Sequence, residues 1–229
     1  MKLGIMQPYF LPYLGYFQLI KAVDVFVIYD DVNYIKQGWV NRNRFSKGAE
    51  PCYITLELSG SSSFKKINEI SVGHNKAKIV KTLNAYYKKA THFGETMDLA
   101  ERILNFPEDN LSGFLSNSIK LICNELNIET NIRISSELTK NNELKAQEKI
   151  IHMCKLLNAG VYINAIGGQE LYSKEAFALQ GMELKFIQSK LSSYTQFSDI
   201  FIPGLSIIDV LMFNGKDKTK NQLNNYTLI

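Results

Sequence analysis

The chain has 229 residues, 45% of them hydrophobic and 21% charged, which is ordinary globular composition and excludes a disordered or fibrous protein. Domains run roughly 100–200 residues, so this length suits one α/β domain with an insertion better than two domains. Lysine and arginine number 26 against 22 acidic residues, and a net charge of +4 does not suit a nucleic-acid binder with a concentrated basic face.

Lys2–Met6 is a short apolar run and reads as a strand. A proline-bounded loop, Gln7–Pro12, follows, and Tyr13–Ala22 reads as a short helix with Leu14, Phe17 and Leu19–Ile20 on its apolar side. Residues 4–20 carry no charge, yet Gln7, Pro8, Pro12, Gly15 and Gln18 do not suit a lipid-exposed helix, and no signal-peptide core or cleavage site is present. The expected location is the cytoplasm, with no membrane span. Val25–Tyr29 is β-branched and aromatic, a strong strand. The first thirty residues thus predict a βαβ unit, whose ligand would lie beyond the strand C-termini, where Gln7–Pro12 and Asp30-Asp31 fall.

Asn33–Lys47 reads as a polar, basic loop, Cys52–Leu58 as a half-buried strand, Ser59–Ser63 as a loop and Ile67–Val72 as another strand. Helices are predicted over Lys76–Lys89, Asp98–Leu104, Asn110–Leu126 and Leu144–Leu157, the last ending at Asn158-Ala159-Gly160. Strand Val161–Ile163, helix Ser173–Leu179 and strand Leu184–Ile187 restore the α/β rhythm. The fold class expected is α/β, a mostly parallel sheet with flanking helices. One domain would span residues 1–215, with a helical segment at about 76–158 and a polar, poorly ordered tail at 216–229. Cys52, Cys123 and Cys154 form no CxxC pair and read as small buried apolar residues.

Three N-terminal constellations carry chemistry. The loop from Gln7 and Pro8 through Tyr13, Gly15 and Tyr16 has the shape of the HxGH loop of nucleotidylyltransferases, which also joins a first strand to a first helix, so the start of the chain resembles a HUP-type βαβ unit. Tyrosine stands at both histidine places, which favours nucleotide binding over adenylyl transfer, because a neutral phenol cannot bring positive charge to a phosphate. An aromatic helix packed on the sheet is the alternative. Asp30 and Asp31 could hold Mg2+, act as base or accept sugar hydroxyls, or could merely cap the strand; only one should face a site, since neighbours on a strand point oppositely. Lys36, Trp39, Asn41, Arg42, Asn43 and Arg44 combine cation, aromatic face, amides and guanidinium forks suited to phosphate and a ring.

The run MQPYFLPYLGYFQLIKAVDVFVIYDDVNYIKQGWVNRNRF (6–45) resembles the start of the WbqC-like protein family. VYINAIGGQELYSKEAF (161–177) and YTQFSDIFIPGLSIIDVLMFNG (194–215) resemble that family's C-terminal part. The resemblance implies a role in bacterial surface polysaccharide, especially O-antigen or lipopolysaccharide, without a firmly assigned reaction. It marks Gln7, Pro8, Pro12, Gly15, Asp30, Asp31, Asn41, Arg42 and Asn43, then Gly167 and Gly168, then Pro203, Ser206 and Asp209 as characteristic positions.

Gly167-Gly168 follows a strand and frees backbone N–H groups to turn toward a ligand, or simply makes a turn. Ser206 reads as an N-cap with Asp209 at the third helical position, close to a capping box. His74, His92 and His152 have no metal-ligand spacing, and His74 is the one expected nearest a cleft. The expected function is group transfer to a nucleotide-linked amino sugar, with Asp30, Asp31 or His74 catalytic. The remaining residues of the N-terminal constellations and the glycine pair would bind a nucleotide sugar or other phosphorylated small molecule, and a homodimer is allowed for. A nucleoside-triphosphate-dependent nucleotidylyltransferase and a non-catalytic partner of a glycosyltransferase complex stand as alternatives.

Overall fold

A computed structural model describes residues 1–229. In chain order the strands are β1 (Lys2–Met6), β2 (Val25–Ile28), β3 (Arg42–Lys47), β4 (Glu50–Thr55), β5 (Leu58–Ser59), β6 (Ser71–Val72), β7 (Asn131–Ile134), β8 (Val161–Ala165), β9 (Glu183–Ser189) and β10 (Tyr226–Leu228). The α-helices are α1 (Leu14–Lys21), α2 (Lys76–Tyr87), α3 (Phe93–Leu104), α4 (Leu111–Glu125), α5 (Ala146–Leu156), α6 (Lys174–Ala178) and α7 (Ile207–Gln222).

Six strands form one sheet in the order β10-β9-β8-β1-β2-β7, parallel throughout except for β10 at one edge. Side chains alternate between its faces as the two-residue period requires. Phe26, Ile28, Ile163 and Ile187 meet α1, α2, α3, α4 and α7 on one side. Leu3, Ile5, Val27, Tyr162, Leu184 and Phe186 meet α5 and α6 on the other. The result is a three-layer α/β/α architecture with a mostly parallel sheet, in agreement with the fold class read from the sequence. Gly4 keeps the β1–β2 contact close, because a Cβ there would stand 3.2 Å from the Phe26 ring.

Several segments differ from the expectations. The basic stretch at 42–47 is not loop but β3, hairpinned to β4 through Gly48-Ala49, with Gly48 at φ 63° supplying the left-handed backbone such a turn needs. Asn43 and Phe45 point inward while Arg42 and Arg44 stay half-exposed, so the alternation is present but carried by polar residues. Ile67–Val72 splits into a 3-10 turn and the two-residue β6, and α3 begins five residues earlier than predicted. β7 went unread because only Ile132 and Ile134 mark it on a short edge strand. The tail at 216–229 is not poorly ordered: α7 runs through Gln222, Leu223 is fully buried and β10 pairs with β9. The expected stop at Asn158-Ala159-Gly160 does follow α5, with Asn158 at φ 55° as its left-handed residue. No helix is long and apolar enough to cross a membrane.

Candidate functional site

β2 and β7 lie to one side of β1, and β8 and β9 to the other, so the chain reverses its direction of travel between β1 and β8. Open parallel sheets bind ligands outside the strand C-termini at such a switch point. A cavity of about 600 Å3 lies there, within the roughly 300–1,000 Å3 usual for small-molecule sites. Its floor comes from Met6 and Gln7 at the end of β1 and from Asn164 to Gly168 at the end of β8. Tyr9, Tyr13, Tyr29, Tyr172 and Trp39 supply aromatic walls, and Ile35 and Leu171 form an exposed apolar rim.

The loop presenting Gln7, Tyr9 and Tyr13 is held from several directions. The Asn43 side-chain amide donates to the carbonyls of Phe10 and Leu11 at 3.0 and 2.9 Å. Ser206 Oγ donates to the same Leu11 carbonyl, and the Ile207 N–H to that of Pro12. Tyr16 Oη donates to the Gln7 carbonyl at 3.0 Å, and the Phe10 N–H to that of Trp39. These bonds hold Leu11 at φ 45°, a left-handed conformation costing a side-chain-bearing residue roughly 1–2 kcal/mol. Gly15 allows the Tyr13 ring to fold over the first turn of α1; a Cβ there would stand 2.4 Å from Tyr13 Cε2.

Arg44 is the one cation on the wall. Its Nη2 donates to the carbonyls of Pro203 and Gly204 at 2.9 and 3.4 Å, while its buried Nε has no partner. No carboxylate, lysine or histidine lines the cavity. Burial, with Tyr13 adding to it, pushes the Tyr9 phenol up to about 12. Burial also raises Tyr13 and Tyr172, and burial together with the charge of Asp31 raises Tyr29. The phenols are therefore neutral donors at physiological pH, and the cavity offers one positive charge, aromatic faces and many donors.

Of the residues expected to bind ligand, the fold brings together Gln7, Tyr13, Trp39, Asn43, Arg44, Gly167 and Gly168. The others lie elsewhere. Tyr16 and Pro8 are buried behind the loop. Asn41 accepts from Tyr34 Oη and donates to the Leu56 carbonyl. Arg42 donates to the Gln37 carbonyl, with its guanidinium 4.6 Å from the centre of the Tyr53 ring. Lys36 is exposed off the wall, as is His74 at the entry to α2.

Asp30 and Asp31, read as catalytic carboxylates, are absent from the cavity wall. Asp30 accepts from Ser112 Oγ, Ser136 Oγ and the Ser136 N–H, tying β2 to α4 and to the turn after β7. Asp31 accepts from Ser135 Oγ at 2.6 Å and pairs with Lys140 at 2.9 Å and Lys149 at 3.1 Å. Burial works to raise the Asp31 pKa, but the bonds from Ser135, Lys140 and Lys149 outweigh it and hold the carboxyl below its ordinary value. With two ammonium groups already on Asp31 and hydroxyls on Asp30, the pair does not fit a Mg2+ ion, and no cluster of His, Cys, Asp or Glu elsewhere is built to hold a metal.

Ser206 caps α7 as expected, accepting from the Ile208 N–H. Asp209 does not complete a capping box. It is fully buried and accepts from Tyr87 Oη at 2.6 Å and Tyr194 Oη at 2.7 Å.

Sequence reasoning missed Asn164, Tyr172 and Gly204 as wall residues. Asn164 closes a strand-like run at its C-terminal end, the signal that could have found it. Tyr172 and Gly204 reach the wall through tertiary packing, with no local pattern to announce them.

The architecture is that of a mostly parallel α/β protein with a cavity at the switch point. The chain belongs to the WbqC-like protein family, whose model matches residues 7–221. It is also similar to an uncharacterized protein of Mycobacterium tuberculosis, Rv1507c, with 31% identity over 218 residues covering 93% of each chain. No solved structure matches the chain significantly.

Proposed function

We propose that this protein acts in the cytoplasm in bacterial surface polysaccharide (O-antigen or lipopolysaccharide) biosynthesis, binding a nucleotide-linked amino sugar in the switch-point cavity for group transfer. The observation that carries this reading is the make-up of that wall: Arg44, neutral phenols, aromatic faces and no carboxylate. An acceptor-rich anion with flat rings fits such a lining, and a metal-chelating or cationic ligand does not. In this reading the part of the Arg44 guanidinium not committed to the Pro203 and Gly204 carbonyls meets phosphate, as a fixed cation with N–H donors does. Trp39 and the tyrosines stack on base or sugar. Asp30 and Asp31 serve behind the wall by fixing Tyr29 and the end of β2. Catalysis then rests on holding donor and acceptor in reactive alignment rather than on a carboxylate base.

A thermal-shift screen of nucleotide sugars, nucleotides and acyl donors tests this. A true ligand at 100 times its Kd adds about 2.7 kcal/mol of stability. Arg44→Ala should abolish that shift. A ligand-induced shift that survives Arg44→Ala unchanged, or no shift with any phosphorylated sugar, would defeat the reading.

A further inference from the structure

Asn164 lies near the end of β8 and is only 8% exposed, yet it reaches the cavity wall. Its Oδ1 accepts the backbone N–H of Ala165 at 2.9 Å. That bond distinguishes the two ends of the amide and leaves Nδ2 lying over Gly168, where a Cβ would stand 2.4 Å away. Nδ2 has no protein acceptor and, unlike the body of the side chain, is not sealed from solvent, so it presents an open donor at the cavity wall to whatever enters.

We infer that Asn164 is a specificity-determining residue that reads a carbonyl oxygen of the ligand through Nδ2–H, with Gly168 providing the clearance that keeps the donor in place. The inference rests on the proposed binding of a nucleotide-linked sugar in this cavity. The division of labour follows from charge: Arg44 meets phosphate, and the neutral amide is left for a neutral acceptor. A carbonyl only accepts, so it complements a group whose acceptor is already occupied by Ala165. Two groups of a nucleotide-linked amino sugar fit, the C4 carbonyl of uracil, which is an amine in cytosine, and the carbonyl of an N-acyl substituent. A site built to donate one hydrogen bond discriminates strongly against an analogue that cannot accept it.

Calorimetric titration with UDP, CDP, UDP-N-acetylglucosamine, UDP-glucose and pyrophosphate tests the assignment. UDP and CDP differ at one carbonyl of the base, and the two nucleotide sugars differ at the acyl carbonyl. The wild-type protein should favour UDP over CDP, or UDP-N-acetylglucosamine over UDP-glucose, by about tenfold; which pair it is identifies the source of the oxygen. Asn164→Asp keeps the Ala165 bond and presents an acceptor where the donor stood, and Gly168→Ala displaces the same donor from the other side. Both should erase the ratio. The ratio is the readout because a general charge effect would weaken both members alike. Nucleotide binding without a preference in either pair, or a preference that survives both variants, would overturn the inference while leaving the binding of phosphorylated sugars standing. Failure of every probe, pyrophosphate included, to bind the wild-type protein would overturn both.

Discussion

Tyr87 Oη donates to Asp209 Oδ2 at 2.6 Å and at the same time accepts the Ser46 N–H at 2.9 Å, joining α2, α7 and β3 at one buried point. Tyr194 Oη supplies a second donor to Asp209, and no cation pairs with the carboxylate. Tyr87→Phe leaves a buried N–H and a buried carboxylate each one partner short. Removing one partner of a buried bond costs about 1–3 kcal/mol, more for a charged group. Urea unfolding of Tyr87→Phe should show at least that loss.

The two unusual aspartates should make stability respond to pH with opposite signs. Asp31 has its folded pKa below the unfolded value, about 3.9 for an aspartate. Its contribution is therefore complete above the unfolded pKa and disappears as pH falls through the folded one. Asp209 has its folded pKa raised, chiefly by burial, so ionising it costs stability as pH rises from the unfolded value through the folded value. The penalty of Asp31→Asn should shrink on acidification. Asp209→Asn should look least harmful at neutral pH and worst in acid. Denaturation midpoints from pH 2.5 to 7 would check both slopes.

Asp31→Asn should be severe at neutral pH, because it strands two ammonium groups. The Lys140 and Lys149 side chains are 1% and 8% exposed. Breaking a buried ion pair by removing one partner costs about 3–5 kcal/mol. Asp31→Asn combined with Lys140→Met should recover part of the loss, a coupling that a double-mutant cycle measures.

Asn43 tests whether the loop at 7–13 needs its clamp. Asn43→Ala removes two donors from the Phe10 and Leu11 carbonyls and should cost about 1–3 kcal/mol. Asn43→Asp should cost more, since it turns a carboxylate toward those carbonyls. Both should also lower affinity for any ligand that contacts Tyr9 or Tyr13, read by titration at a temperature where the variant stays folded.

Gly15→Ala separates binding from stability. The new Cβ would meet only the far edge of the Tyr13 ring, which can swing away, and alanine favours helix over glycine by about 1 kcal/mol. The melting temperature should therefore change little while ligand affinity falls, because the displaced ring leaves or blocks the wall. Unchanged affinity would mean that Tyr13 does not touch ligand.

The central sheet was legible in the sequence because its strands are apolar runs and parallel strands buried on both faces must be apolar. β1, β2, β8 and β9, with α1, α2, α4 and α5, follow from local periodicity alone. β3 and β7 were not legible, since a strand made of Arg-Asn-Arg or of two isoleucines lacks that signature. The tail looked polar in isolation, and only the free edge of β9 turns residues 226–228 into a strand.

The site divides in the same way. Sequence alone located an aromatic, arginine-bearing region near the N-terminus, and of the five tyrosines between residues 9 and 34 (Tyr9, Tyr13, Tyr16, Tyr29 and Tyr34) Tyr9, Tyr13 and Tyr29 do line the cavity. It could not tell a wall residue from a clamp, because both are polar residues in the same short motif. Tertiary structure decided that Asn43 bonds the loop, that Asn41 braces Leu56, and that Arg44 rather than Arg42 reaches the cavity. It also decided the fate of the paired aspartates. Their partners, Ser112, Ser135, Ser136, Lys140 and Lys149, lie 82 to 118 residues along the chain. A carboxylate's role depends on which charges the fold brings against it, and that is a long-range property no local pattern encodes.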